Sequence, residues 1–144
     1  MENVDARVLR SARDWLASGH HVMLVTVVKT WGSSPRPVGS MMALREDGPC
    51  VGSVSGGCIE DDLVHRYTSA YGDACMRQSR PELVRYGVTA DEAHRFGLPC
   101  GGTLELLLEF APALSVMDDL VQRLDAGQLV QRTVRSEERR VGKE

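Results

Sequence analysis

The sequence predicts an α/β fold, a mixed β-sheet with flanking helices in a single domain, and three segments carry that prediction. Val4 to Ala17 has helical periodicity, with Val8, Ala12, Trp15 and Leu16 on one face and Gly19 as a stop. Val22 to Val28 is a run rich in β-branched residues, as in a buried strand. Thr103 to Phe110 alternates, with Leu104, Leu106 and Leu108 on one face and Glu105, Leu107 and Glu109 on the other. A chain of 144 residues is long enough for one domain with a hydrophobic core.

The other elements follow in order. Thr30 to Pro37 is a loop of Gly, Ser and Pro, and Gly39 to Arg45 is a second strand. Asp47-Gly48 favours the backbone angles of a tight hairpin, so Cys50 to Val54 is the returning strand. Ser55-Gly56-Gly57 breaks it, and Cys58 to Tyr71 reads as a helix ended by Gly72. Glu82 to Val88 is a strand after Pro81. Thr89 to His94 reads as a short helical turn, capped by Thr89 with Glu92 three residues on. Leu98 to Gly102 is a second glycine loop. Pro112 opens a helix that reaches Ala126 and ends at Gly127, and Leu129 to Val134 starts another strand. Residues 136–144 are nearly all charged or polar; they read as a solvated, disordered tail, or as a tail foreign to the parent protein or a chain cut short.

Composition narrows the function. A net charge of -3 lacks the basic excess that nucleic-acid binding calls for. The longest apolar run, Val22 to Val28, is too short to span a membrane. The N-terminus is a charged helical pattern rather than a secretory signal, so a cytoplasmic protein is expected. Cys50, Cys58, Cys75 and Cys100 are then free thiols. None has a Cys-x-x-Cys partner, which argues against a structural metal.

The chemistry concentrates in three segments. In Gly52-Ser53-Val54-Ser55-Gly56-Gly57-Cys58 a strand runs through a Gly-Gly turn into a helix. Glycine lets backbone approach a ligand closely, and a helix N-terminus offers N–H groups and a positive dipole end to phosphate. Cys58 falls on that first turn, where the dipole favours thiolate. The plainer alternative is a strand-to-helix turn with Cys58 as a small packing residue. Glu60 lies in the same turn, complements the dipole and opposes an anion, so its role reads as structural. In Gly97-Leu98-Pro99-Cys100-Gly101-Gly102 the cysteine precedes the Gly-Gly pair. The third segment, Thr30 to Ser40, offers hydroxyls, Arg36 between two prolines to hold an anion, and Trp31 to stack on a planar ring.

Together these segments resemble the XdhC/CoxI family, the accessory factors of xanthine dehydrogenase and related molybdenum hydroxylases. The resemblance lies in Val25 to Val28 leading to Gly32-Ser33-Ser34-Pro35-Arg36, then Gly39, then Val51 to Glu60, then Gly97 to Gly102 with Leu104-Glu105-Leu106-Leu107. It implies an N-terminal family domain over residues 1–111, with a connector helix and the truncated start of a following region over 112–135; many members of the family continue into a Rossmann domain, which is expected to be absent here. It further implies binding of the molybdenum cofactor, a molybdopterin with a phosphate-bearing side chain. The expected roles are protection of that cofactor, support of its sulfuration with a cysteine desulfurase, and insertion into a xanthine dehydrogenase-type molybdenum hydroxylase. The expected cofactor-binding residues are Arg36, Ser55, Gly56, Gly57, Cys58, Cys100, Gly101 and Gly102. No catalytic residue is assigned, and a homodimer is left open. Two rivals remain: an enzyme with Cys58 as nucleophile, and a structural partner-binding domain. Against the enzyme, no His or Asp has a motif-like relation to Cys58.

Overall fold

The computed structural model describes residues 4–32, 36–76, 80–87, 92 and 102–134. Helix α1 runs Val4–Ala17, β1 Val22–Trp31, β2 Met41–Arg45, β3 Cys50–Gly52, α2 Cys58–Tyr67, β4 Glu82–Tyr86, β5 Thr103–Phe110 and α3 Leu114–Asp125. The strands form one five-stranded sheet in the order β3-β2-β1-β5-β4. The expected α/β class is present, with helices against the sheet. Where a mixed sheet was expected, every pairing is antiparallel. The connections explain this, because β1-β2, β2-β3 and β4-β5 each return along their neighbour without a crossover helix.

Local chemistry sets most element ends. α1 stops where Gly19 takes φ +89°, and the His20 N–H donates to the Trp15 carbonyl at 3.0 Å. The Asp47-Gly48 turn forms as expected, with Gly48 at φ +120° and its N–H donating to the Arg45 carbonyl at 2.9 Å. The Arg45 guanidinium grips Asp47 at 2.6 Å.

Most other ends move by a residue or two, and three larger differences from expectation have a visible cause. β1 continues to Trp31, because beyond an irregularity at Val27 to Lys29 it pairs with β5 as far as Thr103. α2 ends at Tyr67 rather than Tyr71, where Thr68 turns extended and its hydroxyl donates to the Val64 carbonyl at 2.6 Å. Leu129 to Val134 forms no strand. Its Arg132 instead makes a two-pronged ion pair with Glu109 on β5, at 2.6 and 2.7 Å.

The alternation of the strands builds a core on each face of the sheet. Met23, Val25 and Val27 of β1 join Leu104, Leu106, Leu108 and Phe110 of β5 beneath Ile59 and Leu63 of α2. On the other face Val22, Leu24 and Ala43 pack against Val8 and Ala12 of α1 and Met117 and Val121 of α3. The expected connector helix α3 thus buries its apolar face in this domain's own core. No described helix is long and apolar enough to cross a membrane. The helical turn expected at Thr89 to His94 lies outside the described residues apart from Glu92, whose carboxylate accepts the Gly87 N–H at 2.7 Å. The tail at 136–144 also lies outside them.

Candidate functional site

Strand register gathers the polar loops at one end of the sheet. β1 leaves it at Trp31, opposite Thr103, where β5 enters. Tyr86, the end of β4, lies opposite Leu104. Thr26 pairs with Met41 at the start of β2, and Met42 pairs with Gly52 at the end of β3. The Arg36 segment, the Ser53 to Gly57 loop and the connection from β4 to β5 therefore all open from this end. A Cβ placed on Gly32 would stand 3.4 Å from the Gly102 Cα, so the ends of two of these segments touch. Cys100 and Gly101 lie outside the described residues; Gly102 is described and buried.

The first glycine loop is built around Glu60. Its Oε2 accepts the Val54 and Ser55 N–H groups, each at 2.9 Å. Its Oε1 accepts the Ser55 hydroxyl and, at 3.1 Å, the Gly57 N–H. The single Ser53 hydroxyl proton is shared between Oε2 at 2.7 Å and the Ser55 carbonyl at 2.6 Å. Burial pushes the Glu60 carboxyl up. Hydrogen bonds from the Ser55 and Ser53 hydroxyls and the Ser55 N–H outweigh it, so the group is held below its ordinary value.

This arrangement redirects the chemistry expected of the loop. The N–H groups of Val54, Ser55 and Gly57 point inward to a carboxylate, not outward to a phosphate. Ser55 is completely buried. The outward surface belongs to Gly56 and Gly57, beside which a Cβ would meet nothing within 4 Å, and to the exposed Cys58 at the start of α2. From sequence, Glu60 reads as complementing the helix dipole in preference to a general base or a ligand-orienting group. Its spacing three residues after Gly57 is the signal for this larger role, since a Glu at that position reaches back to the loop's N–H groups.

Arg36 comes to the foot of the same loop from the other side. With Asp5, Arg7, Ser40, Met41 and Ser53 it lines a groove of 470 Å³. Gly52 lets α1 close against the strand here. It holds φ +88°, and a Cβ would lie 2.4 Å from the Met41 carbonyl oxygen and 2.6 Å from Val8. Arg7 escaped sequence reasoning, because nothing local distinguishes it from any exposed arginine on a helix. Trp31 is engaged by cations: the Lys29 ammonium and the Arg85 guanidinium each lie 4.9 Å from its ring centre.

Cys50 is exposed on edge strand β3, yet partial burial of its thiol and the nearby Glu60 and Asp61 charges push its pKa up. Cys75 is also exposed. Among the described residues no group of three or more His, Cys, Asp and Glu is placed to hold a metal ion.

The fold and its loop end define a class: a small α/β domain whose glycine-rich, thiol-bearing and arginine-bearing loops gather at one end of an antiparallel sheet. The chain belongs to the XdhC and CoxI family, whose sequence profile matches residues 15–87. It is 37% identical over 124 residues to the molybdenum cofactor insertion chaperone PaoD of Escherichia coli K12, covering 83% of this chain and 37% of that protein. It is 31% identical over 86 residues to a probable xanthine dehydrogenase subunit of Bacillus subtilis 168, covering 60% of this chain and 24% of that one. Among solved structures, a xanthine dehydrogenase from Bacillus halodurans is similar at TM-score 0.66 and 28% identity, over 87% of this chain and 36% of that chain. The chain thus spans well under half the length of each of these relatives.

Proposed function

We propose that this chain is the cofactor-handling domain of a molybdenum cofactor insertion chaperone serving a xanthine dehydrogenase-type molybdenum hydroxylase. The observation that carries the reading is the gathering of the Cys58 loop and the Arg36 segment at one sheet end, in a chain of this family. The name of the Escherichia coli relative supports the same reading.

The cargo is molybdopterin with its metal, and this end of the sheet has the chemistry to hold it. Cys58 offers an exposed thiol suited to soft metal chemistry. Gly56 and Gly57 leave space for a ring to lie against backbone. Arg36 and Arg7 offer guanidinium forks to an anionic end. Cys100, beside Gly101 and Gly102, is the second thiol of the reading. The domain shields the cofactor, presents it for sulfuration by a cysteine desulfurase, and passes it to the hydroxylase.

The test is to purify the chain from cells that make molybdopterin and measure bound molybdenum and pterin fluorescence in wild type, Cys58→Ala and Cys100→Ala. The wild type carries both, and loss of either thiol lowers the bound metal. A folded wild type with neither molybdenum nor pterin ends the reading for this chain.

A further inference from the structure

We propose that the groove between α1 and the loop end of the sheet is an anion site for a phosphate monoester, held by Arg7 and Arg36. Two arginines line this groove from separate elements, Arg7 on α1 and Arg36 in the β1-β2 connection. A carboxylate is satisfied by a single fork, whereas a phosphate group has a third oxygen and a second charge to engage a second fork. Ser40 adds a hydroxyl, and among the described residues Asp5 is the one carboxylate in the lining, set against the pair.

The glycine loop is less suited to this part. Its Val54, Ser55 and Gly57 N–H groups and the Ser53 proton are committed to Glu60, and that buried carboxylate repels a second anion. The arginine groove beside it is the better place for an anionic end.

The groove also limits what the phosphate is attached to. Its lining includes Gly52 and Ser53, which lead into the Gly56-Gly57-Cys58 loop. A phosphate at the arginines therefore leaves the group on its ester oxygen to run toward that loop. Naming that group a pterin rests on the cofactor reading above, while the phosphate chemistry rests on the groove.

The test titrates inorganic phosphate into the full chain at low salt and follows ³¹P line broadening. Low salt matters because exposed charges are screened at higher ionic strength. The expected result is saturable binding that weakens about tenfold in Arg7→Ala and in Arg36→Ala, the scale of losing one charged hydrogen-bond partner. Arg7→Gln serves if the alanine variant fails to fold, and Arg123→Ala on α3 binds like wild type. No saturable binding by the folded wild type overturns the proposal. So does binding as tight as wild type by both groove variants, or equal weakening by Arg123→Ala. Pterin that co-purifies with wild type but not with Arg7→Ala supports the site. Pterin retained by both groove variants overturns it and leaves the cofactor reading standing. Arginine-dependent phosphate binding by a chain that carries neither pterin nor molybdenum supports the site and ends the cofactor reading.

Discussion

Glu60 and Gly52 show how much single residues decide at this site. Glu60 is buried and answers several donors, so Glu60→Ala strands the N–H groups of Val54, Ser55 and Gly57 without a partner. We expect a loss of about 3 kcal/mol in urea unfolding, the scale of leaving buried polar groups unsatisfied. The sign of the pH effect follows from the depressed carboxyl. Its contribution is fully present above the ordinary carboxylate range near pH ~4 and is lost as pH falls through the lower folded value. Acid unfolding curves of wild type and Glu60→Gln should therefore converge at low pH and separate above it. The glycines split in the same concrete way. Gly52→Ala meets the Met41 backbone and Val8 at positive φ and should cost about 3 kcal/mol or more. Gly56→Ala meets nothing within 4 Å and should stay within about 1 kcal/mol. Thermal melts of the two variants give the comparison.

At the scale of elements, local signals and distant ones part company. α1 and β5 were legible because their apolar periods and stop residues lie within their own segments. The extension of β1 to Trp31 was not legible, because its reason is pairing with Thr103 far along the chain. The segment after α3 failed as a strand for a similar reason. Its β-branched residues suggested a ladder, while the fold uses Arg132 as an ion-pair partner for Glu109. Glu109 is almost fully buried, so Arg132→Ala leaves an unpaired charge in the core side of β5. We expect about 3 kcal/mol of destabilisation, and much of it should return in the Arg132→Ala, Glu109→Leu double variant, as urea midpoints would show. Of the candidate site, Arg36, Gly56, Gly57 and Cys58 were legible as motif. Arg7 and the inward turn of the loop were not, since both depend on where α1 and Glu60 fall in three dimensions.

At the scale of the molecule, antiparallel pairing does the organising. A strand that returns beside its neighbour brings its loop back to the end it left, so segments distant in sequence collect at one end. The thiols then differ by place. Cys58 opens α2 at the loop end, whereas Cys75 follows the opposite end of that helix. Cofactor loading should therefore slow alkylation of Cys58 and leave Cys75 unchanged, which mass spectrometry of labelled protein would read. Equal rates at Cys58 with and without cofactor would place the cargo elsewhere.

The two tryptophans turn this polarity into a built-in optical gauge. Trp31 stands at the loop end, under the Lys29 and Arg85 cations and next to Gly32. Trp15 stands near the far end of α1, beneath the Arg45 guanidinium. The helix between its N-terminal turn and Trp15 spans on the order of 15 Å, enough to keep the two rings in separate surroundings. With Trp15→Phe, the emission of the chain comes from the loop end alone, so an arriving occupant would announce itself in the protein's own colour before any label is attached.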